Sequence, residues 1–110
     1  MDELIDMLAA SGIPYAYDHF AEGESPDPPF ICYVIPQSDN WFADNTVYMT
    51  IYEVHIELYT DEKDIATELK LEYALDSGGF CYNKSEVWIE SERLYQVLYI
   101  FEMMEDKNDK

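Results

Sequence analysis

The chain contains two histidines, and each has acidic neighbours that could give it a chemical role. His19 follows Asp18, and a carboxylate beside an imidazole can orient it as a general base. His55 lies between Glu53 and Glu57, and on a strand these three side chains would share one face at spacings of about 6.6 Å. Histidine and carboxylate groups can together bind a metal ion. In a chain with 24 acidic residues such a triple arises easily by chance, so we expect a solvated strand face.

The other sequence signatures of catalysis are missing. The chain has no Gly-rich phosphate loop, no nucleophile elbow and no HExxH helix. The acidic run at 61–64 lacks the alternating ligands and the central glycine of a calcium loop. Cys32 and Cys81 are too few and too far apart for a disulfide scaffold, and their apolar or aromatic neighbours predict buried free thiols. We therefore predict a protein that is not an enzyme and has no catalytic residue, cofactor or metal.

The charge of the chain excludes several partners. Its 110 residues include 6 basic and 24 acidic ones, which gives a formal net charge of −18. Nucleic acids and anionic membrane surfaces both attract basic segments, so we expect no direct binding to either. The 48% hydrophobic and 15% aromatic content argues against disorder. The first residues show no signal peptide and no window is apolar enough for a membrane span, which predicts a soluble, intracellularly made protein.

The first third of the sequence predicts a helix, a short strand and a loop. Asp2 can cap a helix whose apolar positions are Leu4, Ile5 and Leu8, and Gly12 with Pro14 ends it. An extended segment at 13–20 predicts a short strand. Glycine and three prolines among acidic residues predict a loop at 21–29.

Two strands follow. The apolar run from Phe30 to Ile35 predicts a buried strand that ends at Pro36, and residues 37–46 predict a turn-rich connection. Residues 47–60 show the clearest strand pattern, because apolar residues alternate with polar or aromatic ones at a period of two. Its apolar members are Val54, Ile56 and Leu58.

The remaining elements complete an α+β fold. Asp61 is the predicted cap of a second helix that extends to about Asp76 and ends at Gly78 and Gly79. We expect its apolar stripe to face the core, with Leu69 and Tyr73 against the 47–60 strand; the stripe comprises Ile65, Leu69, Tyr73 and Leu75. Residues 87–90 and 95–103 predict a terminal hairpin. The sequence thus predicts a single domain at 1–104, with two helices packed on one face of an antiparallel or mixed sheet of four to five strands, and a disordered acidic tail at 105–110.

Two adjacent aromatic residues lie in the predicted connection at 37–46. Trp41 and Phe42 could fold back onto the sheet as a small cluster. They could instead protrude and anchor another subunit, because Trp and Phe are enriched at interfaces. Tyr48 follows closely, so we name Trp41, Phe42 and Tyr48 as candidate subunit-interface residues.

Four segments of the chain resemble a known group of proteins. They are the Ala-Ala-Ser-Gly-Ile-Pro-Tyr helix end, the Pro-Pro-Phe-Ile-Cys-Tyr-Val-Ile-Pro strand, the Tyr-Glu-Val-His-Ile-Glu-Leu-Tyr-Thr strand with its following helix, and the closing hairpin. Over about residues 1–103 the pattern is similar to small tail-completion proteins of long-tailed bacteriophages and prophages, of the tail terminator and head-tail joining types.

The resemblance implies a structural role. Proteins of this group are α+β subunits that assemble as a ring, often of six, on the end of the tail tube. They stop tube growth and offer a joint to the head. The resemblance therefore implies a protein that binds copies of itself, the tail tube and the head-connector proteins, first in the host bacterial cytoplasm and then in the virion tail. It also implies ring contacts by the segment around Trp41 and Phe42.

The net charge supports one rival from another class. A small acidic protein can occupy the nucleic-acid site of a host protein as a DNA mimic and inhibit it. The carboxylates of a mimic should line one surface at phosphate-like spacing, whereas here they are scattered through all predicted elements except the Phe30–Ile35 strand. We therefore favour the tail component and keep the mimic as the alternative.

Overall fold

The chain forms seven elements in the order that the sequence predicts. The computed structural model describes residues 2–43 and 46–106, and side chains at 2–40 and 49–105. The elements are α1 (Asp2–Ala10), β1 (Tyr15–Tyr17), β2 (Phe30–Ala43), β3 (Thr46–Thr60), α2 (Ile65–Ser77), β4 (Asn83–Ile89) and β5 (Leu94–Asp106).

The strands form one five-stranded sheet with the order β1-β2-β3-β5-β4. β1 pairs with β2 in parallel, and every other neighbouring pair is antiparallel. Both helices contribute to the same core on one face of this sheet. That core comprises Leu4, Met7 and Leu8 of α1, Leu71, Ala74 and Leu75 of α2, and inward residues of the strands. The predicted α+β fold with a mixed sheet and two helices on one face is confirmed.

The alternating pattern of β3 places its apolar residues in the core. Val54, Ile56 and Leu58 are fully buried, as predicted. His55 and Glu57 lie between them in the strand and point to the opposite face of the sheet, which no described helix covers. The period of two therefore predicted the register of this strand correctly.

The hairpin of β2 and β3 is much longer than predicted. The two strands pair from Phe30↔Tyr59 to Ala43↔Thr46, so the prediction of a turn-rich connection at 37–46 was wrong. β2 passes through Pro36 because the register shifts between Val34 and Gln37. Proline is tolerated at such a bulge, where its missing N–H leaves no ladder partner unsatisfied.

Helix α2 begins one turn later than predicted. Its N-cap is Asp64 and not Asp61: the Asp64 carboxylate accepts hydrogen bonds from the Thr67 backbone N–H at 3.1 Å and the Thr67 hydroxyl at 2.6 Å. At the other end, Gly79 has a φ of +78°, the left-handed conformation that glycine adopts without strain. Termination of the helix at Gly78 and Gly79 is confirmed.

The terminal hairpin is also longer than the hairpin that the sequence predicts. β4 and β5 pair from Asn83↔Ile100 to Ile89↔Leu94, around the predicted turn at 91–93. β5 then continues along β3 to Asp106. The predicted tail at 105–110 overlaps the end of this strand, and residues 107–110 lie outside the described part of the chain.

Candidate assembly surface

Helix α2 presents three large apolar side chains to solvent. Ile65, Leu69 and Tyr73 are 61%, 58% and 76% exposed. They are spaced four residues apart, so they lie one above another on a single face of the helix. We call them the α2 stripe. The prediction that this stripe packs against β3 was wrong, whereas Leu75 is buried as predicted.

An ion-pair network determines which face of α2 is buried. Glu68 lies on the inner face with its side chain only 3% exposed. Its carboxylate bonds Lys63 at 2.7 Å and Lys84 of β4 at 2.8 Å. Lys84 also bonds Glu72 at 2.6 Å, and the Tyr99 hydroxyl of β5 donates to Glu72 at 2.7 Å. These contacts hold the two glutamates inward, and the α2 stripe consequently faces outward.

Burial and hydrogen bonds within the network shift the pKa values of Glu68 and Tyr99. Burial alone would raise the pKa of the Glu68 carboxyl, but the hydrogen bonds from Lys63 and Lys84 outweigh it and hold this pKa below its ordinary value. Burial raises the pKa of the Tyr99 hydroxyl, and its hydrogen bond to the Glu72 carboxylate adds to the effect. Glu68 is therefore charged at neutral pH, and the Tyr99 hydroxyl stays protonated and donates its hydrogen bond.

A groove beside the α2 stripe extends the apolar surface. It has a volume of about 360 Å³ and lies between the two helices. Its apolar lining comes from Met7 and Ala10 of α1 and Tyr73 and Ala74 of α2, and Glu3 and Asp6 of α1 line it as well. The exposed positions of α2 itself include one positive and one negative residue, Lys70 and Asp76. This face thus combines an apolar stripe, the composition typical of an interface core, with two acidic residues of α1.

The three interface residues predicted from the sequence lie at the far end of the β2–β3 hairpin. Trp41 pairs with Met49 and Phe42 with Val47, so Tyr48 is the extra residue of a bulge between these pairs. The side chains of 41–48 lie outside the described residues. The structure therefore places these residues on a long two-stranded arm, and their role in contacts stays a prediction.

The histidine pairs are isolated from further ligands. His19 Nδ1 lies 2.9 Å from Asp18 Oδ2 at an exposed position. His55 Nε2 lies 2.7 Å from Glu53 Oε2, while Glu57 instead accepts a hydrogen bond from the Tyr59 hydroxyl at 3.0 Å. Among the described side chains, no group of three or more His, Cys, Asp or Glu residues is arranged to hold a metal ion.

The two cysteines differ in exposure. Both are free, and Cys32 is buried as predicted, with burial raising the pKa of its thiol. Cys81 is exposed, so the prediction of a second buried thiol was wrong. Its neighbours Phe80 and Tyr82 pack on Phe101 and Tyr99, with ring centroids 4.9 and 5.2 Å apart. Cys81 is the residue between these two anchors, and its side chain is left outside the core.

The fold of the chain occurs in solved structures. No family model and no curated protein matches the sequence. Nine chains of solved structures match the fold. One of them belongs to a virion of a native gene transfer agent particle; it superposes with a TM-score of 0.61 at 13% sequence identity, over 92% of this chain and 87% of that one. At this identity the likeness shows a shared fold. Separately, no described helix is long and apolar enough to cross a membrane.

Proposed function

We propose that the chain is a non-enzymatic structural subunit of a phage or prophage particle, which caps the tail tube or joins it to the head as part of a ring. It assembles in the host bacterial cytoplasm and becomes part of the virion tail. Its partners are copies of itself, the tail tube and the head-connector proteins. The observation that carries the proposal is the exposed α2 stripe.

The stripe supports assembly on energetic grounds. Subunits with a net charge of −18 repel one another, so apolar surface must contribute to their assembly in the particle. Ile65, Leu69 and Tyr73 offer such surface on a single face of α2. Tyr73 is of the residue type that often anchors an interface, and such an anchor can contribute about 2 kcal/mol or more.

The likeness in fold supports assembly into a virion. The matched neighbour is a virion chain, and the superposition spans nearly the whole of both chains. The order of elements also fits the tail-completion group that the sequence resembles. We accordingly propose a virion role in preference to a free dimer or a signalling complex.

The experiment removes the α2 stripe in the phage that encodes the chain. Leu69→Ser with Tyr73→Ser should leave the protein folded, because both side chains are mostly exposed. We expect normal heads with overlong or unjoined tails in negative-stain images. The matched control is Met104→Ser, which removes an equally exposed apolar side chain from β5 and should leave particles unchanged. Normal tails in the double variant would contradict a role for the stripe.

Deletion of the gene separates the proposed function from its rival. A tail subunit is required for joined particles, so deletion should give tails of abnormal length or free heads. A DNA mimic acts on a host protein, and its deletion would leave the architecture of the particles intact. Substitution of the hairpin residues, Trp41→Ala with Phe42→Ala, should give the same defect as deletion if these side chains take part in ring contacts.

A further inference from the structure

The sheet has two unlike edges with unpaired backbone. On one side, β1 covers β2 only from Ile31 to Tyr33. Beyond Pro36, no described strand pairs with the outer edge of Gln37–Ala43. On the other side, β4 pairs with β5 alone, so its outer edge has no strand beside it among the described residues. Each free edge offers a row of N–H and C=O groups to another strand.

Both free edges are poor in charge. The segment Gln37–Ala43 contains one of the 24 acidic residues of the chain, Asp39. β4 contains Lys84 and Glu86, whose charges cancel. Native edge strands are commonly protected by exposed lysines. Lys84 gives no such protection, because its ammonium is bound to Glu68 and Glu72 on the helix face of the sheet.

The two edges also match in length and direction. β4 has seven residues, as many as the segment Gln37–Ala43. Directions alternate along β2-β3-β5-β4, since each of these neighbouring pairs is antiparallel. β4 and β2 therefore run in opposite directions, and a second copy in the same orientation would present its β4 antiparallel to the free edge of β2. The alternation would continue unbroken from one copy to the next.

We propose that β4 of one copy pairs antiparallel with the Gln37–Ala43 segment of the next copy, so that the sheets of neighbouring subunits join edge to edge. The inference rests on the proposed function and specifies its contact between copies. Because the two edges are different surfaces, the contact is heterologous, and repeated around an axis it closes into a ring. The α2 stripe is on the helix face of the sheet, and its apolar surface is separate from this edge contact.

The test uses two variants that each block one edge. Ser85→Asp with Val87→Asp adds two like charges to exposed positions of β4, and Ser38→Asp with Asn40→Asp does the same to the free edge of β2. Ser25→Asp with Ser91→Asp is the control with the same charge change in exposed loops. Sedimentation in about 0.5 M salt, where the Debye length is only a few ångströms, minimises general repulsion. If the Ser85→Asp, Val87→Asp variant unfolds, a second β4 variant, Ser85→Lys with Val87→Lys, replaces it.

Mixing the variants identifies the contact. Wild type and control should sediment as closed oligomers, and each edge variant alone as a 12.9 kDa monomer. A 1:1 mixture of the two edge variants should form a dimer and nothing larger, because one intact β2 edge then meets one intact β4 edge. Monomeric wild type, oligomers from either edge variant, or a mixture that stays monomeric would each overturn edge pairing. If rings form despite both edge blocks, the edge contact is wrong, while the proposed function stands and is tested separately by particle images of the gene deletion.

Discussion

At the scale of single residues, Ile56 and Ile65 show how position determines what an apolar side chain contributes. Ile56 is fully buried in β3, whereas Ile65 is 61% exposed at the start of α2. Truncation of a buried isoleucine removes hydrophobic transfer energy and leaves a cavity. Truncation of an exposed one removes little of either.

We expect Ile56→Ala to lower the free energy of unfolding by about 2–5 kcal/mol, as is usual for a buried isoleucine. Ile65→Ala should change it by less than about 0.5 kcal/mol, the usual range for surface substitutions. Urea unfolding of both variants beside the wild type measures the difference. Equal losses would mean that α2 buries the stripe and is rotated relative to this structure.

Glu68 gives the second prediction at this scale. Its pKa is lowered from the ordinary value of 4.5 on folding, so the folded state binds the proton less tightly than the unfolded state does. The resulting stability is fully present above about pH 4.5 and is lost as the pH falls through the folded value. Glu68→Gln should therefore lower stability at pH 7 by about 1.5–3 kcal/mol, the range for hydrogen bonds to charged groups.

The loss caused by Glu68→Gln should shrink as the pH falls below about 4.5 and through the lower folded pKa, because the wild-type carboxyl then becomes neutral. Glu62→Gln, at an exposed position outside the network, is the control and should give a small loss at both pH 7 and pH 3. Thermal unfolding of both variants and the wild type from pH 7 to pH 3 measures these losses. A loss for Glu68→Gln that is the same at pH 3 and pH 7 would contradict a stabilising charge on Glu68.

At the scale of elements, the sequence predicted the strands better than the second helix. The alternation of Val54, Ile56 and Leu58 is local, so the pattern itself determined the buried face of β3. The rotation of α2 depends on Lys84, which is 16 positions beyond Glu68 in sequence and comes close to it only in the folded sheet. Hydrophobic periodicity could not reveal that partner. The exposed α2 stripe was therefore assigned to the core, and the candidate surface was missed.

The sequence also predicted too short a hairpin for β2 and β3, for a similar reason. Pro36 and the turn-forming residues after it predict the end of a strand when they are considered locally. In the sheet, the bulge removes the need for the proline N–H, and pairing with β3 continues to Ala43. A bulge depends on the register of the partner strand, which a single segment of sequence does not show.

The cap of α2 gives a prediction at the element scale. Asp64 accepts two hydrogen bonds from Thr67 and carries the N-cap role that the sequence analysis gave to Asp61. Asp64→Ala should lower stability by about 1 kcal/mol, the typical value for a lost N-cap. Asp61→Ala, at an exposed position before the helix, should have a smaller effect. Urea unfolding that finds the larger loss at Asp61 would contradict this helix start.

At the scale of the whole molecule, the dominant physical fact is the net charge of −18 on a chain of 110 residues. Two of its six basic residues, Lys63 and Lys84, form ion pairs with the buried Glu68. Most remaining carboxylates are exposed and repel one another across the surface. We expect the melting temperature to rise between low salt and about 0.15 M, where the Debye length falls to about 8 Å. A flat or falling trend would show that this repulsion is negligible.

The number of copies of this chain in purified particles shows whether it is a structural subunit of the particle. Particles would be isolated from the phage that encodes the chain, and the protein quantified by mass spectrometry against an isotope-labelled peptide standard. A ring on the tail end predicts a small fixed number of copies per particle, six for a hexamer. Particles that are complete and contain no copies would contradict the account.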